Sequence, residues 1–141
     1  MFATNSISFN SEYISFELDQ PNVVHDWIQN TITTEHKEVG EISYIFCSDE
    51  YLHKINVDHL NHDTLTDIIT FNYCEENLIS SDIFISVDRV KENAVLFKTS
   101  FENELSRVMI HGVLHLIGYD DKTDEDKILM RAKEDFYLTL R

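Results

Sequence analysis

The stretch His111-Gly112-Val113-Leu114-His115-Leu116-Ile117-Gly118-Tyr119-Asp120-Asp121 constrains this chain more than any other part of it. From Val108 to Ile117 it is apolar almost all round, the pattern of a helix buried against a sheet. His111 and His115 are four positions apart, so on such a helix they lie one above the other, at about the separation of two ligands of one ion. A histidine pair at this spacing also arises in ordinary cores and on surfaces. Here the apolar setting would make unpaired imidazoles costly to desolvate, and small Gly112 lets another backbone come close. Gly118 supplies the stop, because a glycine just past the last turn can reverse the chain and return Tyr119-Asp120-Asp121 to the histidine face. The spacing therefore predicts a divalent metal site with Asp121 as the third ligand beside His111 and His115, and with Asp120 as the neighbouring alternative.

Upstream, Ile7 and Phe9 and then Ile14, Phe16 and Leu18 alternate with polar residues, as in two strands or a strand and an extension. Val23, Val24, Trp27, Ile28 and Ile32 follow helical spacing to about Thr34, with Pro21 at the entry and Asp19 or Asn22 as caps. Gly40 is expected in the loop that closes before a strand through Ile42, Tyr44 and Phe46, and Ser48 caps a short helix through Leu52 and Ile55. Asn61 to Thr64 reads as a loop. Thr66–Tyr73 and Asp82–Val87 read as neighbouring strands joined by a turn from Cys74 to Ser81. Asp88 is the expected cap of the next helix, Thr99 with Glu102 the capping box of the histidine helix, and Thr123 the cap of a final helix through Leu140. The expected fold is one α+β domain spanning residues 1–141, a central mixed sheet of about four strands with helices packed around the buried histidine helix.

With 43% hydrophobic residues, three glycines and one proline, the chain has the composition of one core without linkers. Cys47 and Cys74 have no metal or redox spacing and read as reduced thiols. No secretory leader or membrane-length apolar run is evident, so a soluble cytoplasmic protein is expected, with no membrane partner. The 26 acidic against 11 basic residues give a formal net charge of −15. Such acidity repels nucleic acid at long range, which argues against a free-standing nonspecific binder and leaves local basic groups, metal ions or a larger assembly for any work on RNA.

Zinc peptidases of the H-E-x-x-H type use the glutamate after the first histidine as general base; that position is Gly112 here, which disfavours their chemistry. The stretch from His111 to Asp121 instead resembles the H-G-x-L-H-L-x-G-Y-D-H signature of the YbeY endoribonucleases. Leu65-Thr66-Asp67-Ile68-Ile69-Thr70-Phe71 is similar to that family's P-T-D-V-L-S-F strand, and Ser81-Asp82-Ile83-Phe84-Ile85-Ser86 to its G-D-I-x-I-S strand.

The resemblance implies one zinc ion, or another divalent metal, on His111, His115 and Asp121, where the usual third ligand is histidine. It implies a metal-dependent endoribonuclease specific for single strands, acting in 3′-end maturation of 16S ribosomal RNA and in ribosome quality control. The small ribosomal subunit or its proteins would be partners. Leu60 stands where the family usually keeps an arginine, and Arg107, one turn before His111, is the first candidate to replace that positive charge, ahead of Lys54 and His59. Asp120 joins Arg107 as a candidate catalytic group. Asp67 and Asp82 are candidate supports for the histidines, and Tyr119 is expected to pack over the turn. A ribosome-assembly factor with a mainly structural metal is the rival reading, and a metal-dependent hydrolase of another phosphate or amide substrate is the second.

Overall fold

The alternating segments form a mixed sheet because each carries β-branched and aromatic residues at every second position. The computed structural model describes residues 6–60 and 66–141, with residues 59 and 60 described in backbone only. Its strands are β1 (Ser6–Glu12), β2 (Glu38–Cys47), β3 (Ile68–Asn72) and β4 (Leu78–Ser86), and its helices are α1 (Pro21–Thr34), α2 (Asp49–Leu60), α3 (Val87–Leu96), α4 (Phe101–Ile117) and α5 (Asp124–Leu138). The sheet order is β1-β2-β4-β3, with β1, β2 and β4 parallel and β3 antiparallel to β4. This is the α+β domain with a four-stranded mixed sheet that the sequence predicts.

Period-two alternation divides the sheet residues between two faces. Ile42, Tyr44, Phe46, Ile79, Ile83 and Ile85 face the main core, which α1, α3, α4 and part of α5 complete. Cys47 and Ile69 join a smaller cluster with Leu52 and Ile55 of α2. Gly112 brings α4 hard against the sheet, since a Cβ there would meet Ile68 Cδ1 at 2.8 Å. Tyr44 is fully buried, and its hydroxyl donates to the Met109 carbonyl of α4 at 3.1 Å, so the sheet holds the histidine helix by a polar contact as well as by packing. Cys47 and Cys74 are both free thiols.

Several local expectations shift. Gln20, in the left-handed region at φ 49°, is the N-cap of α1, and neither Asp19 nor Asn22 caps it. Pro21 brings no N–H to be satisfied, and Gln20 O instead accepts from Val23 and Val24 at 3.1 and 3.2 Å. Gly40 lies inside β2, at the irregular register between Val39 and Ile42, because Ile79 of the neighbouring strand passes close there. Strand β4 starts at Leu78, so the turn is shorter than Cys74–Ser81. Ser86, not Asp88, caps α3, and Asp88 instead accepts from the Asp49 N–H at 2.9 Å. Ser100, not Thr99, caps α4 by accepting from Asn103 N at 3.0 Å. Ser48 caps α2 and Thr123 caps α5, as the sequence predicts, and Asp126 completes a capping box with Thr123. The Asn61–Thr64 loop lies outside the described residues. Among the described residues no helix is long and apolar enough to cross a membrane.

Glu35, just past α1, joins three parts of the fold. Its carboxylate accepts from Tyr119 Oη at 2.6 Å, from Lys133 Nζ at 3.2 Å and from the Tyr137 hydroxyl. Burial pushes its pKa up, but the hydrogen bonds from Tyr119, Tyr137 and Lys133 outweigh it and hold the carboxyl below its ordinary 4.5. A depressed pKa means that the contribution is present above the ordinary value and lost as pH falls through the folded one. Glu35→Gln is therefore expected to cost about 1–3 kcal/mol near neutral pH and much less at a pH well below 4.5. Urea unfolding at the two pH values checks this, and an equal loss at both would contradict it.

Candidate functional site

Helix α4 carries both histidines. Its inner face, with Leu105, Val108, Met109, Val113 and Leu116, is buried, while His111 is half-buried and His115 exposed. The helix ends as the sequence predicts. Gly118 has φ 130°, and the Tyr119 N–H reaches back to the Leu114 carbonyl at 3.0 Å, closing the last turn. The reversed chain brings Asp121 Oδ2 to 3.4 Å from His111 Nε2. Tyr119 packs over this turn, and its hydroxyl is also tied down by Glu35.

The other imidazole nitrogen is held by a residue that sequence reasoning missed. Glu134 of α5 places Oε2 2.7 Å from His111 Nδ1. A carboxylate only accepts, so Nδ1 is the donor in the contact with Glu134, and Nε2 is the nitrogen that faces Asp121. Glu134 is itself 7% exposed, and Arg107 Nη1 donates to its Oε1 at 2.9 Å while Arg107 Nη2 donates to Asp135 at 2.7 Å. Arg107 thus lies beside the ligand face as predicted, but with both terminal nitrogens engaged by carboxylates. Arg131 adds a longer contact of 3.8 Å to Glu134. The hydrogen bond from Glu134 raises the His111 pKa above 6.5; burial opposes it, and the charges of Glu134, Asp121 and Asp67 reinforce it.

These groups line a cleft. One arm of about 380 Å³ is bounded by Phe97, Glu104, Arg107, His111, Asp121 and Glu134, among others. A second arm of about 290 Å³ is lined by Thr66, Asp67, Thr70, His111, His115 and Asp121. His111, Asp121 and Asp67 border both arms. Burial raises the Asp67 pKa, with the His111 charge opposing. Asp82 stands elsewhere, accepting from the Tyr73 hydroxyl at 3.3 Å, so of the two expected carboxylate supports only Asp67 is in the cleft. Asp120 is exposed and lines neither arm. The Leu60 and His59 side chains lie outside the described residues, and Lys54 lines a separate pocket with Tyr13 and Tyr51.

The structure therefore brings His111 and Asp121 together and puts His115 on the same wall. Among the described residues no three His, Cys, Asp or Glu side chains are drawn together closely enough to hold an ion. The donor set nonetheless suits a divalent metal: an imidazole whose Nε2 faces a carboxylate oxygen at 3.4 Å, and a second imidazole one turn away. Nothing in the sequence around His111 points to Glu134, which lies 23 positions downstream on another helix. Its only signal is the helical phase of α5, in which Met130, Glu134 and Tyr137 form the buried stripe.

A model of the endoribonuclease YbeY family matches residues 6–140. The chain is 59% identical over 129 residues to the endoribonuclease YbeY of Flavobacterium johnsoniae, covering 92% of each chain. It is 55% identical over 134 residues to that of Flavobacterium psychrophilum, covering 95% of each. Among solved structures, the solution structure of TM1509 from Thermotoga maritima is similar at a TM-score of 0.68 and 28% identity, over 94% of this chain and 87% of that one.

In protein treated with chelator, the His111 ring should titrate above 6.5, and Glu134→Gln should bring it down. Because the folded pKa is the raised one, the contact stabilises fully below 6.5 and fades as pH rises through the folded value. Imidazole NMR titration reads the first expectation and urea unfolding on either side of neutrality the second. An unmoved His111 titration in the variant would refute the assignment of Glu134.

Proposed function

The chain belongs to the endoribonuclease YbeY family, and from that premise we propose that it is a metal-dependent endoribonuclease acting on single-stranded RNA. Its task is 3′-end maturation of small-subunit ribosomal RNA and ribosome quality control, in the cytoplasm and in contact with the small subunit. The observation that carries this reading is the approach of Asp121 to Nε2 of His111 at the mouth of an open cleft. Zinc, or another divalent ion, held by His111, His115 and Asp121 would supply Lewis acidity towards a phosphodiester.

The protein's own groups set the conditions for that chemistry. Glu134 keeps the proton on Nδ1 and fixes the ring plane of His111. Arg107 is a positioning residue: it holds Glu134 and Asp135 and acts on the site through them. Arg131 and Lys127 also line the cleft and are exposed, so they can meet phosphate oxygens and locally offset the acidic surface. Asp121, rather than Asp120, faces His111.

Metal-loaded protein is expected to cleave single-stranded RNA, and chelator to stop it. His111→Ala and His115→Ala should remove both metal and cleavage while the circular dichroism spectrum stays that of the parent. Asp121→Ala should lower metal content; unchanged content would sink its assignment as a ligand. Glu134→Gln should weaken metal affinity by roughly 10- to 100-fold, read by competition with a chromogenic chelator. RNA left intact by the metal-loaded protein would instead favour an assembly factor, for which an acidic surface suits basic ribosomal proteins.

A further inference from the structure

The larger arm of the cleft has two features that the metal site does not use. Glu104, in the first turn of α4, is 5% exposed, lines this arm, and makes no side-chain hydrogen bond among the described residues. With no donor among those residues, its carboxylate opens onto the cleft, and burial, with the repulsion of nearby Asp67, raises its pKa against the opposing charges of Arg107 and Arg131. Phe97, just past α3, stands on the same arm with 59% of its surface exposed and no aromatic partner among the described residues. The arrangement is thus an exposed ring and a carboxylate with no donor among the described residues, both lining one arm. It matches the way proteins hold unstacked bases, which lie on aromatic rings and are read along their Watson–Crick edges.

We infer that this arm is a nucleobase subsite, in which a base displaced from single-stranded RNA stacks on Phe97 and donates its edge N–H groups to Glu104, so that guanine is preferred. The inference rests on the endoribonuclease reading and deepens it. Guanine presents two adjacent donors, N1–H and the N2 amino group, to the two oxygens of a carboxylate, which is acceptor-only. Adenine and cytosine present one amino donor beside a ring nitrogen acceptor, which would face a carboxylate oxygen with no proton between them. Uracil has its single N3–H flanked by two carbonyls. The arm of about 380 Å³ has room for a planar base, and Arg131 and Lys127 on its rim suit the attached phosphate.

The test is calorimetric titration of the full-length protein with the four ribonucleoside 5′-monophosphates. Guanosine monophosphate should bind about tenfold more tightly than the others. Glu104→Gln, which keeps the volume, should erase that preference while leaving binding of the other three nearly unchanged. Phe97→Ala, at an exposed position, should weaken all four by roughly fivefold or more. Equal affinities in the parent, a guanine preference that survives Glu104→Gln, or no binding at millimolar nucleotide would each overturn the subsite. RNA cleavage without guanosine selectivity would overturn the subsite and leave the nuclease reading standing. Guanosine selectivity in a protein that cuts no RNA would keep the subsite and remove the nuclease.

Discussion

The Glu134 carboxylate is 7% exposed and bonded on one oxygen to the His111 imidazole and on the other to the Arg107 guanidinium. Both donors come from α4, so a helix that contributes no expected ligand is nonetheless locked to the ligand helix through one charged group. Removing one partner of such a buried pair typically costs about 3–5 kcal/mol, because the other charge stays behind uncompensated. The geometry is thus coupled to the docking of α5, whose Met130 and Tyr137 are buried in the main core. The site and the C-terminal helix stand or fall together.

Much of this is legible in the chain. The apolar run around His111, the Gly118 stop and the Thr123 cap each encode a local structure that the fold contains. Local signals fail where two neighbours compete for one job. Ser86 and Asp88 are both good caps, as are Thr99 and Ser100, and which one serves depends on where tertiary packing begins the helix. Asp88 is drawn off by the start of α2, a contact no local pattern encodes. Glu134 escaped for a deeper reason. A support for a ligand is defined by a contact between helices, and a glutamate among the many acids of this chain has no pattern to mark it.

The charge of −15 acquires a different sense around the cleft. Arg107, Lys127 and Arg131 gather there among the carboxylates of Asp67, Glu104, Asp121 and Glu134, so positive charge is placed locally at the cleft although the chain is acidic. Arg107 is largely spent on Glu134 and Asp135, which leaves Lys127 and Arg131, both on α5, as the accessible cations. They stand on a different element from Leu60, so positive charge at this cleft comes from the C-terminal helix.

Asp121 is 48% exposed, so packing does little to hold it; backbone placement does the work, through the Gly118 reversal and the Tyr119 hydroxyl anchored on Glu35. An aspartate at this position also changes the electrostatics. Its negative charge and the donation of Glu134 through His111 would both reduce the effective charge of a bound ion, relative to three imidazoles alone. Arg107 opposes the second effect by drawing on the same Glu134 carboxylate. The Lewis acidity of the proposed centre is then a balance between one ligand on a turn and one salt bridge behind a histidine. The salt bridge belongs to a contact between α4 and α5, which is why that half of the site is invisible in the histidine motif.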